Sequence, residues 1–239
     1  MGEGMRTALV TGAGRGLGLE FVRQYAADGW RVLACHRTDP AGAAIAETPG
    51  DVVALQMDVT DHRRVDEVAR RLAGETIDVL INNAGMIGRR GFGAGAGAEH
   101  AFGSSDYGVW DRIFHTNVIG PMKVSEAFVR HVAASRHGKV VMLTSILGSM
   151  ALNDSGGLYA YRASKAALNA ITRSMAIDLA PHGIVVAGLH PGWVRTEMGG
   201  SGADLDAETS VTGMRRVIAG LTMEHAGRLL TFEGNSLPF

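Results

Sequence analysis

The chain has 239 residues, of which 46% are hydrophobic and 20% charged, and its formal net charge is −1. This composition is typical of a globular protein with a sizeable core, and it excludes disorder as a description of the whole chain. The near-neutral charge gives no support to binding of nucleic acid or of an anionic membrane surface. The single cysteine, Cys35, excludes an intrachain disulfide and any metal site built on several cysteines, and we predict no metal.

The sequence contains no predicted secretory signal or membrane span. Its first residues lack a charged segment followed by a long apolar run. No stretch reaches the ~18 consecutive apolar residues that a transmembrane helix needs. We therefore expect a cytoplasmic protein.

Short apolar runs alternate along the chain with longer stretches of helical periodicity. Strands are predicted at residues 6–10, 30–35, 52–57, 79–81, 139–143, 184–189 and 228–231, and helices at residues 17–27, 62–73, 107–135 and 159–180. Asp61 is expected to cap the second of these helices. The alternation predicts an α/β Rossmann fold, with a doubly wound, seven-stranded parallel sheet flanked by helices. No linker divides the chain, so residues 1–239 are predicted to form one domain.

The turn after the first predicted strand is rich in glycine and reads Thr-Gly-Ala-Gly-Arg-Gly-Leu-Gly over residues 11–18. Gly12 permits a tight exit from the strand, while Gly16 and Gly18 remove side chains where a phosphate would meet the start of a helix. The turn therefore predicts a dinucleotide site. The alternative is an ordinary glycine-rich connection between strand and helix.

The end of the second predicted strand indicates which dinucleotide is favoured. An acidic residue there would bind the ribose 2′-hydroxyl and repel a 2′-phosphate, but no acid occurs before Asp39. Arg37, together with Arg15 of the glycine-rich turn, is placed to pair with a 2′-phosphate. We expect NADP(H) to be preferred, with NAD(H) possible. The alternative is that both arginines are solvated surface residues.

Tyr161 and Lys165 lie four residues apart in the last long predicted helix, so they share one face. A nearby cation lowers the pKa of a phenol from about 10 and lets it exchange protons closer to neutral pH. The pair is a weak signal alone, because any surface helix can carry it.

Taken in order, these motifs resemble those of the short-chain dehydrogenase/reductase family. After the glycine-rich turn and before the Tyr161–Lys165 pair come Asp58 with Val59, the sequence Asn-Asn-Ala-Gly at residues 82–85, then Asn117 and Ser145; Pro-Gly-Trp-Val-Arg-Thr follows at residues 191–196. The resemblance covers nearly the whole chain. Residues 159–165, 191–200, 227–230 and 234–239 are most similar to sniffer-type carbonyl reductases and C-factor-like proteins.

The resemblance implies an NADPH-dependent oxidoreductase that transfers a hydride between nicotinamide and a carbonyl or secondary alcohol. It implies that Tyr161 is the acid/base and that Ser145 binds the substrate oxygen. Lys165 would bind the nicotinamide ribose and lower the pKa of Tyr161, and Asn117 would hold a water of a proton relay. It also implies a homodimer or homotetramer formed through the long helices.

The cofactor contacts implied by the resemblance come from all parts of the chain. They are Gly12, Arg15, Gly16, Leu17, Gly18, Arg37, Asp58, Val59, Asn83, Ala84, Gly85, Tyr161, Lys165, Pro191, Gly192, Val194 and Thr196. On this basis residues 1–120 form a cofactor half and residues 121–239 a catalytic and substrate half.

Three alternatives remain open from the sequence. Ser149 rivals Ser145, because it lies 12 rather than 16 positions before Tyr161, although Ser145 ends a buried strand at the edge of the sheet where ligands bind. The glycine-rich residues 88–105 are expected to flank the substrate cleft. The alternative function is a dinucleotide-binding signalling or regulatory protein with little turnover.

Overall fold

The computed structural model describes residues 5–88 and 101–239. The strands are β1 (Thr7–Val10), β2 (Arg31–His36), β3 (Val52–Gln56), β4 (Val79–Asn82), β5 (Lys139–Leu143), β6 (Val185–His190), β7 (Leu229–Thr231) and β8 (Ser236–Leu237). The helices are α1 (Gly16–Ala27), α2 (Asp39–Ala46), α3 (His62–Arg71), α4 (Tyr107–Phe114), α5 (Gly120–Ala133), α6 (Tyr159–Leu179) and α7 (Ala207–Gly220).

All eight strands join one sheet in the order β3-β2-β1-β4-β5-β6-β7-β8. The predicted seven parallel strands are confirmed, from β3 at one side to β7 at the other. The sequence analysis missed the eighth strand, which pairs antiparallel to β7 with Leu237 opposite Leu229. The strand order reverses between β1 and β4, and in such sheets ligands bind in the crevice at this switch point.

Helices cover both faces of the sheet, each over its own core. On one face, Phe21 of α1 and Met214 of α7 pack with the strands. On the other, Val65 of α3, Phe128 of α5 and Leu168 of α6 do so. Because both faces are buried, the strands are continuously apolar, which is why they were recognisable in the sequence.

The helices differ from the sequence prediction in three places. The predicted helix over residues 107–135 is interrupted by a π-helical turn at His115–Ile119, between α4 and α5. Two helices were not predicted, α2 and α7. The predicted cap on α3 is confirmed, because the Asp61 side chain accepts a hydrogen bond from the Arg64 amide.

Part of the segment expected to flank the substrate cleft, residues 89–100, lies outside the described residues. Among the helices within residues 5–88 and 101–239, none combines the length and the apolar character that a bilayer crossing requires.

Candidate active site

A large open cleft of about 1280 Å³ lies at the carboxyl ends of the strands around the switch point. Most of the predicted cofactor residues line it: Gly12, Arg15, Gly16, Leu17, Gly18, Arg37, Asp58, Val59, Asn83, Ala84, Gly85, Tyr161, Lys165, Pro191 and Thr196. Gly192 and Val194 are not on its wall. Val194 is 4% exposed and is bridged to Leu205, so it supports the segment behind the cleft wall.

The glycine-rich turn is packed too closely to admit a side chain at Gly12 or Gly18. A Cβ atom added at Gly12, which has a φ of +64°, would lie 2.9 Å from the Ala84 Cα. A Cβ added at Gly18 would lie 2.2 Å from the Gly12 carbonyl oxygen. The helix α1 therefore begins directly at the cleft with its first amide groups available to a phosphate.

The end of β4 braces this turn. The Asn83 side-chain amide donates to the carbonyl oxygens of Thr11 at 2.8 Å and Gly12 at 3.1 Å. In the other direction, the Thr11 hydroxyl oxygen accepts from the backbone amides of Asn83 and Ala84, both at 3.1 Å. Asn83 thus has a clear structural role in holding the phosphate-binding turn.

Three of the four predicted catalytic side chains, Ser145, Tyr161 and Lys165, lie together at one side of the cleft, and Tyr161 and Lys165 line its wall. Tyr161 is hydrogen-bonded to Ser145. The Lys165 Nζ atom lies 5.7 Å from the centroid of the Tyr161 ring and donates to the Leu143 carbonyl oxygen at 2.8 Å. The spacing of four residues on α6 therefore brings a phenol and an ammonium group together.

Ser145 and Ser149 differ in their contacts, and this difference favours Ser145 as the serine of the site. Both are buried, but Ser145 is the residue bonded to Tyr161. Its hydroxyl oxygen also accepts from the Leu147 amide at 3.2 Å, which fixes the side chain at the end of β5. The Ser149 hydroxyl oxygen instead accepts from the Leu152 amide at 3.3 Å, a local turn contact.

The chain is similar to known proteins. The family model described as short chain dehydrogenase matches residues 6–204. The chain belongs to the short-chain dehydrogenase family. The C-signal of Myxococcus xanthus is 46% identical over 163 residues, which are 68% of this chain and 93% of that protein.

Solved structures of carbonyl reductases have the same fold over almost their whole length. The carbonyl reductase Sniffer of D. melanogaster superposes with a TM-score of 0.88 at 28% identity, covering 98% of this chain and 100% of that one. An NADPH-bound carbonyl reductase from chicken fatty liver gives a TM-score of 0.87 at 30% identity, with 98% and 99% covered.

In this short-chain dehydrogenase, burial is the main cause of the pKa shifts of Tyr161 and Lys165. It raises the pKa of Tyr161 to about 12, and the hydrogen bond with Ser145 opposes this only in part. Burial also lowers the pKa of Lys165 to about 8. Lys165 is not among the causes of the Tyr161 shift, so the expected lowering of the Tyr161 pKa by the ammonium group stays a prediction.

Asn117 acts as a clamp between elements. Its side-chain oxygen accepts from the Met86 amide at 2.8 Å, and its side-chain amide donates to the Met86 carbonyl at 2.7 Å and to the Ser164 hydroxyl at 3.1 Å. The π-helical turn places it there, a type of irregularity that is frequent at functional sites. These bonds tie the exit of β4 to α6, while the proposed water relay stays a prediction.

Gly85 lies beside this cluster. A Cβ atom added there would lie 3.4 Å from the Asn117 side-chain oxygen and 3.7 Å from the Lys165 Nζ atom. These are ordinary van der Waals distances, so the cluster by itself would admit an alanine at this position.

The opposite end of the cleft carries exposed charges. Arg15 and Arg37 both line it, as predicted. Arg15 forms an ion pair with Glu197, which the sequence analysis had not singled out. In the described part of the chain, no three His, Cys, Asp or Glu side chains gather in a way that could hold a metal ion.

The sequence analysis did not single out three residues that contact the site. They are Met86, Ser164 and Glu197, and only their bonds to Asn117 and Arg15 in the structure identify them.

Proposed function

We propose that the protein is an NADP(H)-dependent carbonyl reductase that acts on a small-molecule carbonyl or the corresponding secondary alcohol. The observation that carries the proposal is the position of Tyr161 and Lys165 on the wall of a cleft large enough for a dinucleotide and a substrate, with Ser145 bonded to Tyr161. A protein that only binds a dinucleotide has no need of all three groups.

The residues of the cleft fit NADP(H). The glycine-rich turn leaves the first amides of α1 open to a pyrophosphate. Arg37 and Arg15 provide positive charge for a 2′-phosphate at the end of β2. The chicken liver carbonyl reductase, described as NADPH bound, supports this assignment by its overall similarity.

The bound nicotinamide would supply the hydride, and the chain's own residues would handle the proton. Ser145 hydrogen-bonds the carbonyl oxygen and stabilises the negative charge that develops on it. Tyr161 donates its hydroxyl proton to that oxygen. Lys165, held by the Leu143 carbonyl, binds the nicotinamide ribose beside Tyr161.

The raised pKa of Tyr161 keeps its phenol in the form that donates a proton. With a pKa of about 12, the phenol is protonated at neutral pH. An alkoxide is a stronger base than a phenolate, so transfer of this proton to the developing alkoxide runs downhill. In the oxidative direction the phenolate would accept the proton of the alcohol, so this pKa does not decide the direction of the reaction.

The experiment that tests the proposal measures NADPH consumption with a panel of aldehydes, ketones, diketones and quinones. The matched pair of variants is Tyr161→Phe and Tyr159→Phe, two tyrosines on the same helix of which only Tyr161 bonds to Ser145. We expect Tyr161→Phe to lose turnover by ~10²–10⁴-fold and Tyr159→Phe to retain it. Equal turnover of wild type and Tyr161→Phe would refute the assignment.

A second candidate function is a signalling or regulatory protein that binds the dinucleotide with little turnover. The 46% identity to the C-signal of M. xanthus favours it. Binding of NADPH by the wild type, with no turnover on any member of the panel, would support this candidate over the reductase.

We also propose that the protein forms a homodimer or homotetramer through the long helices. Ile119, next to α5, and Ile177 on α6 are exposed apolar residues of these elements. The mass measured by light scattering tests this proposal.

A further inference from the structure

One ion pair spans the cofactor cleft. Arg15 projects from the glycine-rich turn, and Glu197 belongs to the segment that follows β6 on the other side of the cleft. The neighbouring residues are also close to each other, because a Cβ atom added at Gly16 would be 3.4 Å from the Thr196 Cγ2 atom. The two segments therefore approach each other at neighbouring residues beside the space that the cofactor would enter.

Residues 193–200, which we call the flap, are cross-linked by hydrogen bonds of their own. The Trp193 indole donates to the Gly199 carbonyl at 2.9 Å, and the Gly199 amide donates to the Thr196 hydroxyl at 3.1 Å. The Arg195 amide donates to the Leu205 carbonyl at 2.7 Å, which ties the flap to the residues after it. Glu197 is thus presented to Arg15 by a braced turn rather than by a free loop.

The two arginines at this end of the cleft are in different situations. Within residues 5–88 and 101–239, Arg37 forms no ion pair, whereas Arg15 is already engaged by a carboxylate. A 2′-phosphate carries about −1.5 to −2 charges at neutral pH and three acceptor oxygens, so it is the stronger partner for a guanidinium group. Since the Arg15 and Glu197 side chains are 71% and 74% exposed, water and salt weaken their pair and allow exchange.

We propose that Glu197 competes with the 2′-phosphate of NADP(H) for Arg15. On cofactor entry, Arg15 passes from the flap carboxylate to the phosphate, and on release Glu197 takes it back. Glu197 is therefore a specificity-determining residue that limits how tightly NADP(H) is held and has little effect on NAD(H), which lacks the 2′-phosphate. This inference rests on the proposed function for the identity of the cofactor.

The test compares dissociation constants of NADPH and NADH for wild type, Glu197→Gln and Asp204→Asn. Asp204 is an exposed carboxylate just beyond the flap that does not line the cleft, so it controls for the change in charge. We expect Glu197→Gln to bind NADPH about two- to fivefold more tightly, the range that an exposed ion pair can supply, and NADH almost unchanged. Asp204→Asn should resemble wild type.

A double-mutant cycle shows whether Glu197 acts through Arg15. In an Arg15→Ala background, Glu197→Gln should no longer tighten NADPH binding, because no guanidinium remains to compete for. If the gain persists in that background, Glu197 acts by general repulsion of phosphate and the proposed competition is overturned. The proposed competition is also overturned if Glu197→Gln binds NADPH no more tightly than wild type, or if its affinity for NADH rises by the same factor.

These outcomes separate the inference from the function on which it rests. Wild-type protein that binds NADPH while Glu197→Gln behaves identically overturns the competition alone. Wild-type protein that binds no NADPH overturns both the cofactor assignment and the competition.

Discussion

The ionisable side chains at the two ends of the cleft differ in their exposure to solvent. At the buried wall, Tyr161 and Lys165 are 6% and 5% exposed, and burial raises the pKa of Tyr161 to about 12 and lowers that of Lys165 to about 8. At the arginine end, the Arg15 and Glu197 side chains are mostly exposed.

The difference in solvation predicts a difference in magnitude. Electrostatic interactions are several times stronger where water is excluded, while exposed pairs contribute little and are screened by salt. Substitutions at the buried wall should therefore have large effects that salt hardly changes, and substitutions of the arginines should have modest effects that fall as salt is added.

After Tyr161→Phe, the largest effect in this comparison is expected for Ser145→Ala. Loss of the hydroxyl removes a hydrogen bond to the oxygen on which charge develops, so kcat should fall by ~10²–10³-fold. Affinity for NADPH should stay close to wild type, because the loss concerns the transition state. Steady-state kinetics and a binding titration separate the two quantities.

Ser149→Ala is the matched control for this prediction. It removes a buried hydroxyl four residues further along the chain, whose oxygen accepts a hydrogen bond from the Leu152 amide. A larger loss of kcat in Ser149→Ala than in Ser145→Ala would reverse the assignment of the catalytic serine.

Lys165→Met tests how much the buried ammonium group lowers the free energy of unfolding. The pKa of Lys165 falls from 10.5 to about 8 on folding, so the charged form destabilises the fold by about 3 kcal/mol below pH 8. Between pH 8 and 10.5 the unfolded chain binds more protons than the folded one. The free energy of unfolding of the wild type therefore rises with pH over this range. Lys165→Met should therefore have a higher free energy of unfolding than wild type at pH 7. The gain is reduced by loss of the hydrogen bond to the Leu143 carbonyl, and it should disappear towards pH 10.

Urea unfolding at several pH values measures this difference. Lys123→Met is the control, because Lys123 of α5 forms a partly exposed ion pair with Asp66 of α3, outside the cleft. The change of the Lys165→Met difference with pH is compared with that of this variant. An advantage of Lys165→Met that does not change between pH 7 and pH 10 would contradict the assigned cause.

The smallest effect is expected at the arginine end. Replacing both Arg15 and Arg37 by Ala should weaken NADPH binding by about tenfold or more, with NADH changed much less, because the lost pairs are charge-assisted bonds to the 2′-phosphate. Of the single variants, Arg37→Ala should lose more affinity than Arg15→Ala, since Glu197 already competes for Arg15.

Titrations at low and high ionic strength check this prediction. The difference between NADPH and NADH should narrow as salt is added. Equal losses for both cofactors in the double variant would show that the arginines do not recognise the 2′-phosphate.

The sequence predicted the parts of the molecule that depend on local pattern. The seven parallel strands are short apolar runs, and the glycine-rich turn and the Tyr161–Lys165 pair each fall within a few consecutive residues. The helix α2 was missed because its eight residues include Pro40 and Gly42 and show little periodicity. The two residues of β8 form a strand only by pairing with β7.

Features that depend on contact between distant residues could not be predicted. Arg15 and Glu197 are 182 positions apart, and nothing in either segment indicates their pairing. The direction of the pKa shift at Tyr161 depends on how deeply α6 buries it, which the spacing of Tyr161 and Lys165 does not reveal. The π-helical turn that places Asn117 is likewise a change in hydrogen-bond register with no distinct sequence pattern.

The short strand β8 has a consequence for association between molecules. An edge strand offers unpaired amide and carbonyl groups to which a strand of another chain can add, and long flat edges promote such growth. Here the last strand at this side of the sheet has only two residues, Ser236 and Leu237, and Pro238 directly after it has no amide hydrogen to donate. Beside β8, the sheet offers almost no template for strand addition by another molecule.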